Sequence, residues 1–387
     1  MKKIFYFFSF LLSFTIINML NAHVENSNFD ISAKYAILMD SDTGEVLFEK
    51  NADSPMFPSS MTKLMTVYML FEKVKSGELN PSAMFDISKK AWKTGGSKMF
   101  LEVGKRVSLD DIIRGITIVS ANDACVCASE NIYGNEDVFV KNMNENAKKL
   151  GMKNTIFSNS HGLNHGKYYD KNSTSTARDL LILSLRLIND FPNLSKIHSV
   201  KNFSYNNIKQ INRNPLLFKN VGCDFGKTGH TDKGGYGLSG SCIKNGRRIV
   251  FIINGTKSLK ERSVASLNLV NWAFDNFQHM RFFKKGEVVR EIPVWYGEKN
   301  YLKITVKDKT LITSSKDKKP FPGKITYKSN ITAPIIKGDE VGFLTYKTIE
   351  GIDKKVSLIA MHDVNKGGFL KRLLDSIRFL AKGAYNE

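Results

Sequence analysis

Pro58-Ser59-Ser60-Met61-Thr62-Lys63 sets a hydroxyl and an amine three residues apart where the chain turns helical. Apolar positions Leu64, Val67, Leu70, Phe71 and Val74 follow at helical spacing and stop near Gly77. One turn of helix puts Ser60 and Lys63 on the same face. Serine is a poor nucleophile at neutral pH without a base, and lysine serves as one only when burial or a second cation keeps it neutral. The stretch therefore makes two demands on the rest of the chain: a cation near Lys63 and donors for an oxyanion. The Ser60 backbone N–H, unpaired at a helix start, is one such donor. Taken alone, the same pattern also describes an N-cap serine followed by a solvated lysine.

The chain has 387 residues and is 42% hydrophobic, enough for two or three domains with cores of their own. Residues 1–22 carry Lys2 and Lys3, then an apolar run from Ile4 to Ile17, then Asn18 to Ala22, the order of a secretory signal with a cut near Ala22. The alternative is an uncleaved N-terminal anchor; in both cases the body is exported. The formal net charge of +20 favours anionic partners, and export turns that preference from nucleic acid toward membrane surfaces and cell-wall polymers. Four cysteines are too few for a disulfide scaffold in a chain this long. Cys125 and Cys127, two apart on a helix, point to opposite sides and read as buried free thiols. The histidines show no ligand spacing, so neither metal nor cofactor is expected.

Working outward from Ser60, the runs Tyr35–Met39 and Val46–Glu49 read as a hairpin around the turn cluster Asp40–Gly44. A glycine-containing loop over 94–104 leads to a helix start at Ser108, with Asp110 and Asp111 in its first turn. Between that helix and a second one from Asp123 lies a polar corner, Ser120-Ala121-Asn122, with core on both sides. Helices are expected over 137–150 and 176–189, separated by a long polar loop from Gly151 to Ser175, and 190–226 reads as irregular. Then comes Lys227-Thr228-Gly229-His230, followed by the hairpin Tyr236–Ile243 and Arg248–Asn254 about Asn245-Gly246 and a closing helix over 259–278.

From about Arg281 helical periods give way to short strand-like runs: Val288–Trp295, Tyr301–Val306, Thr310–Thr313, Lys324–Tyr327, Glu340–Lys347 and Lys355–His362. These predict a small all-β sandwich with no catalytic constellation. In the last twenty residues Phe369, Leu370, Leu373, Leu374, Ile377, Leu380 and Ala381 share one helical arc opposite Lys371, Arg372, Asp375, Arg378 and Lys382. Such a basic amphipathic helix suits the interface of an anionic membrane. The competing reading docks it on its own domain or on a partner chain.

Three patches thus stand in order: Ser60-x-x-Lys63, Ser120-x-Asn122 and Lys227-Thr228-Gly229. Each is weak alone; in this order, on these elements, they form the set shared by penicillin-binding proteins and class A β-lactamases. With the surrounding Pro58–Thr66, Arg114–Cys125, His161-Gly162-Leu163, Arg178-Asp179 and Lys227–Lys233, the chain resembles the low-molecular-mass penicillin-binding proteins that act as serine-type D-alanyl-D-alanine carboxypeptidases. The resemblance runs from about Tyr35 to the C-terminus.

It implies an α/β (α+β) penicillin-binding, β-lactamase-like transpeptidase fold, with a mainly antiparallel sheet flanked by helices, over 23–282. A small all-β domain over 283–365 and a membrane-associating helix over 366–387 would follow. It implies a periplasmic enzyme, peripherally attached to the outer face of the inner membrane. Its substrates would be peptidoglycan muropeptide stems ending in D-alanyl-D-alanine, and β-lactam antibiotics would inhibit it; no nucleic acid is expected. Ser60 would attack the carbonyl between the two D-alanines, and Lys63 would take its proton, with its pKa lowered by Lys227 and by desolvation. Ser120 would relay a proton to the departing D-alanine, and Asn122 would hold the substrate amide and the Lys63 amine. Lys227, Thr228 and Arg262 would bind the terminal carboxylate, Gly229 would leave room for substrate along the strand, and the backbone N–H groups of Ser60 and His230 would hold the oxyanion.

A class A β-lactamase needs a glutamate with an asparagine four residues later. Glu130, Glu136 and Glu145 are followed at that distance by Gly134, Val140 and Lys149, which excludes it. Transpeptidase or endopeptidase activity on the same scaffold, and a non-catalytic wall-binding role, are the remaining alternatives.

Overall fold

The computed structural model describes residues 29–163, 172–317 and 323–383, with side chains to residue 378 at the C-terminus. The expected secretory segment, part of the 151–175 loop, and the side chains of Leu380, Ala381 and Lys382 in the tail lie outside what is described. The chain divides into two compact units, 30–276 and 277 onward.

In the first unit β1 (Tyr35–Asp40) and β2 (Val46–Lys50) form the expected hairpin, its turn held by the Asp40 carboxylate, which accepts from the Asp42 and Thr43 N–H groups. Helix α1 (Lys63–Lys75) follows a 3-10 turn over Ser59–Thr62. Every residue of α1 from Lys63 to Phe71 is buried, so this helix is surrounded rather than amphipathic. A short hairpin, β3 (Met84–Asp86) with β4 (Arg106–Ser108), encloses the 94–104 loop and the short helix α2 (Lys89–Lys93). Helix α3 (Leu109–Ile118) starts at Ser108, whose Oγ accepts from Asp111 N. Helix α4 (Asn122–Tyr133) follows almost at once. Asn135 caps α5 (Glu136–Lys149), and Thr176 caps α6 (Ala177–Asp190).

The segment that read as irregular contains a hairpin, β5 (Asn202–Tyr205) and β6 (Ile208–Ile211), turned by Asn206 and Asn207 with φ of 46° and 59°. Two left-handed asparagines make the tight turn that matches strand twist, and this was the signal the sequence offered. Strands β7 (Cys223–Thr231), β8 (Gly235–Lys244) and β9 (Arg247–Thr256) complete an antiparallel sheet of order β2-β1-β9-β8-β7, followed by α7 (Leu259–Asn276). In β9, Val250 and Ile252 join the helical core, while the equally buried Ile249, Phe251 and Ile253 alternate to the other face. The sheet is therefore covered on both sides, and β7 is one of its two edge strands, opposite β2.

Cys125 and Cys127 are buried free thiols, as expected. Cys223 and Cys242 face each other across β7 and β8 and are joined by a disulfide. That pairing follows from strand register, which the sequence left open.

The second unit carries β10 (Phe277–Arg281) paired with β13 (Leu311–Ser315). Its main sheet has the order β11-β12-β16-β15-β14 and contains β11 (Arg290–Pro293), β12 (Tyr301–Val306), β14 (Lys324–Tyr327), β15 (Glu340–Lys347) and β16 (Asp353–Ala360). Ile292, Leu302, Ile304, Leu344 and Leu358 fill the core from alternate positions. Helix α8 (Phe369–Gly383) ends the unit. Among its described side chains the buried one is Asp375, whose carboxylate accepts from Tyr296 N at 3.0 Å and also binds Lys371. Phe369 and Leu370 are 72% and 73% exposed, and Leu373, Leu374 and Ile377 are also exposed. The helix thus docks by its polar side and turns its apolar arc outward, the reverse of a helix seated on its own core. No helix among the described residues is long and apolar enough to cross a membrane.

Candidate active site

The tight turn before α1 fixes the nucleophile. Ser59 takes a left-handed φ of 50°, and its Oγ lies 2.9 Å from Thr231 Oγ1, tying the turn to the end of β7. Ser60 is half-buried, and Lys63 Nζ lies 3.2 Å from its Oγ. Lys63 is fully buried and donates to His161 O at 2.6 Å. Gly162 makes that approach possible: its φ is +78°, and a Cβ there would stand 1.8 Å from Ser59 O. The loop is fastened from behind by Glu136, which accepts from Ser160 N at 3.1 Å and Ser160 Oγ at 2.7 Å and pairs with Lys90 at 3.0 Å. Burial, then Lys63, pushes the His161 imidazole down to about 3, so it is neutral at physiological pH.

The corner between α3 and α4 supplies the second patch. Ser120 has a φ of 63°, backbone strain of a kind that persists where surrounding structure enforces it. Lys227 Nζ donates to its Oγ at 2.9 Å. Asn122 donates from Nδ2 to Gly95 O at 2.8 Å, whereas its buried Oδ1 has no partner. Asp123 accepts from the N–H groups of Met99, Phe100 and Leu101, so the 94–104 loop is tied to the head of α4.

Lys227 and Thr228 are buried on the edge strand. Gly229 serves differently from the expectation: a Cβ there would meet Pro58 O at 3.0 Å and Met61 Cγ at 3.3 Å. The space its hydrogen leaves is taken by the nucleophile turn, because β7 packs directly on it.

Two arginines complete the site. Arg262 is buried, its Nε is without a partner, and its Nη2 reaches Arg213 O at 3.5 Å. Arg213 donates to Ser97 Oγ at 2.5 Å. It went unread because it lies in the segment taken as irregular. None of Lys63, Lys227, Arg213 and Arg262 pairs with a carboxylate among the described residues. Burial pushes Lys63 down to about 8; Arg213 pushes the same way, against Cys125 and Asp123. Lys227 is held well below the lysine range by burial, then by Lys63, Arg213 and Arg262. The two buried amines therefore repel each other, as expected, and Arg213 is a further cation that the sequence reading did not include. Asn122 does not hold the Lys63 amine as expected, since Lys63 bonds to Ser60 and His161.

A serine next to a buried amine that is partly neutral near pH 8, with unpaired cations beside it, is the equipment of serine–lysine acyl transfer to a substrate bearing a carboxylate. Residues 21–258 match the family described as D-alanyl-D-alanine carboxypeptidase, and residues 277–366 match the penicillin-binding protein 5, C-terminal domain. The chain belongs to the D-alanyl-D-alanine carboxypeptidase family. It is 36% identical to the D-alanyl-D-alanine carboxypeptidase DacA of Haemophilus influenzae over 98% of both chains. Penicillin-binding protein 5 from Haemophilus influenzae superposes with a TM-score of 0.75 at 36% identity, covering 88% of this chain and all of that one. Penicillin-binding protein D2 from Listeria monocytogenes in its ampicillin-bound form gives 0.58 at 30% identity, covering 64% of this chain and all of that one.

Proposed function

We propose that Ser60 removes the terminal D-alanine from peptidoglycan stems through an acyl-enzyme. The observation that carries this reading is the fully buried Lys63 amine beside Ser60 Oγ, with no carboxylate paired to it among the described residues. In its neutral form Lys63 takes the Ser60 proton as Oγ attacks the carbonyl between the two D-alanines. The oxyanion lies between the backbone N–H groups of Ser60 and His230. The terminal carboxylate is bound by Lys227, Thr228 and Arg262, joined by Arg213, and the Asn122 Oδ1 left without a donor accepts the substrate amide N–H. Ser120, bonded to Lys227, gives its hydroxyl proton to the departing amine and regains the proton that Lys63 took from Ser60, so D-alanine leaves as the amine and Lys63 is neutral again. Water then hydrolyses the ester and returns Ser60 to its hydroxyl. β-Lactams, which resemble the substrate, acylate the same oxygen, as the ampicillin complex of the Listeria protein supports by analogy.

The chain is exported into the periplasm, its first unit holds the chemistry, and α8 attaches it to the outer face of the inner membrane. The outward apolar arc of α8 supports this. The test is a labelled penicillin with Ser60→Ala as control, followed by D-alanine release from a pentapeptide. An adduct confined to Ser60 together with released D-alanine is expected. Absence of the adduct sinks the enzyme reading, and an adduct without release points to transpeptidase or endopeptidase chemistry.

A further inference from the structure

The edge strand continues past His230 into a turn, and beside that turn lies a cavity of about 620 Å³. Its lining includes His230, Asp232, Lys233 and Tyr236 from the turn, Lys257 from the end of β9, and Lys34 from the start of β1. The wall is preformed. The His230 and Tyr236 rings stack at 3.8 Å, Thr256 Oγ1 donates to Tyr236 O at 3.1 Å, and Gly234 N donates to Thr231 Oγ1 at 3.0 Å. Thr231 is the residue that meets Ser59 Oγ, so this wall and the nucleophile turn are parts of one assembly. The three lysines are exposed, and none pairs with a carboxylate among the described residues.

The direction of the substrate follows from the reading above, on which this inference rests. With the terminal carboxylate at the Lys227 end of the strand and the reacting carbonyl near His230, an extended peptide along this edge can leave only toward the Thr231–Gly235 turn. At about 3.3 Å per residue, two or three residues upstream of that carbonyl reach the cavity. We propose that this cavity receives the residues preceding D-alanyl-D-alanine, and that Lys34, Lys233 and Lys257, against Asp232 as the one acid among the described lining residues, select stems carrying carboxylates there.

The test compares two pentapeptides that differ in one charge, L-Ala-γ-D-Glu-L-Lys-D-Ala-D-Ala and its D-isoglutaminyl form. D-alanine release by the full chain is followed at low salt and in 0.5 M NaCl, where ~0.5 M leaves little interaction between exposed charges. For the wild type, kcat/KM is expected to favour the acidic peptide by about tenfold at low salt, the sum of two or three exposed charge pairs. That ratio falls toward one in high salt, in the Lys233→Ala/Lys257→Ala double variant and, partly, in Lys34→Ala on a separate element. Acylation by labelled penicillin confirms that each variant is folded. A wild-type ratio of one, or a ratio unchanged in the folded variants, overturns the assignment. The peptide diacetyl-L-Lys-D-Ala-D-Ala, uncharged upstream of its C-terminal carboxylate, separates the two readings. If the wild type does not cleave it, the carboxypeptidase reading falls and the cavity assignment with it; if it is cleaved without an acidic preference, only the cavity assignment falls.

Discussion

The heart of the first unit and the tail of the second break the same rule in opposite directions. Around Ser60, three cationic side chains, Lys63, Lys227 and Arg262, are buried with the exposed Arg213 beside them and no carboxylate paired to any of the four among the described residues, whereas on α8 five large apolar side chains face outward. Ordinary surfaces and cores give neither, so a buried unpaired charge and an exposed apolar patch are the informative departures. The first departure costs stability at neutral pH. Holding the Lys63 pKa at about 8 rather than 10.5 corresponds to roughly 3 kcal/mol, the depressed pKa meaning that the folded state sheds the proton first. Because the unfolded chain then binds more protons, stability rises with pH between those two values. The second departure costs almost nothing within the chain, because α8 contributes its polar side to the unit. One region stores strain for chemistry; the other reserves surface for something outside the molecule.

The largest expected effect comes from relieving the first departure. Lys63→Met removes the base, and acylation by penicillin should fall by about a thousandfold or more. Stability should nevertheless rise by about 1–2 kcal/mol, since the lost burial penalty outweighs the donor taken from His161 O. Denaturant unfolding together with acylation rates checks both halves. A variant that loses stability as well as activity would mean that the lysine is structural.

Next in size is the matching test on the tail. Leu370→Glu/Leu373→Glu/Leu374→Glu should move the protein from vesicles of anionic lipid into solution, because each leucine left in water forfeits about 2 kcal/mol of burial. Acylation and unfolding should be unchanged. Vesicle cosedimentation identical to wild type would remove the membrane role.

How much of this could be read beforehand differed between the same two regions. Ser60, Lys63, Ser120, Asn122 and Lys227 were legible because each sits where a local pattern, a helix start, an inter-helix corner or a strand, betrays its position. Arg213 was not, since its approach to Lys63 depends on a hairpin of four-residue strands whose asparagine turn was the only cue. Glu136 read only as a failed β-lactamase base. Its actual contact, through Ser160 to the loop that binds Lys63, crosses 24 residues of sequence and leaves no periodic trace. The cysteine pair needed the β7–β8 register. The all-β unit and the tail arc were legible as patterns, but Asp375 was placed with the solvated charges because periodicity reports a face and not what covers it.

Arg213 gives an intermediate effect that sharpens the account of the cation cluster. Arg213→Met removes a charge that opposes protonation of both lysines, so the rise of acylation with pH, centred near 8 when Lys63 sets it, should move to higher pH. At pH 7.5, about half a unit below that centre, acylation should fall severalfold. A pH profile at saturating labelled penicillin distinguishes this from weaker binding alone. A midpoint that stays put would leave burial and the neighbouring Lys227 as the causes of the depressed Lys63 and confine Arg213 to the carboxylate.

The smallest effect tests whether the outward pose of α8 is imposed by the β unit or belongs to the helix. Asp375 accepts the Tyr296 N–H from a buried position, and Lys371 clasps the same oxygen. Asp375→Ala leaves that N–H without a partner and frees the helix to roll, at about 1 kcal/mol or less in global stability. If docking sets the pose, Phe369 and Leu370 gain a route to cover, and vesicle binding should weaken by a fewfold while acylation stays constant. If the apolar arc alone decides, binding is unchanged or slightly stronger. An outcome of the second kind would reduce the Asp375 contact to a local cap and leave the exposed arc as the whole basis of the contrast with the buried cations around Ser60.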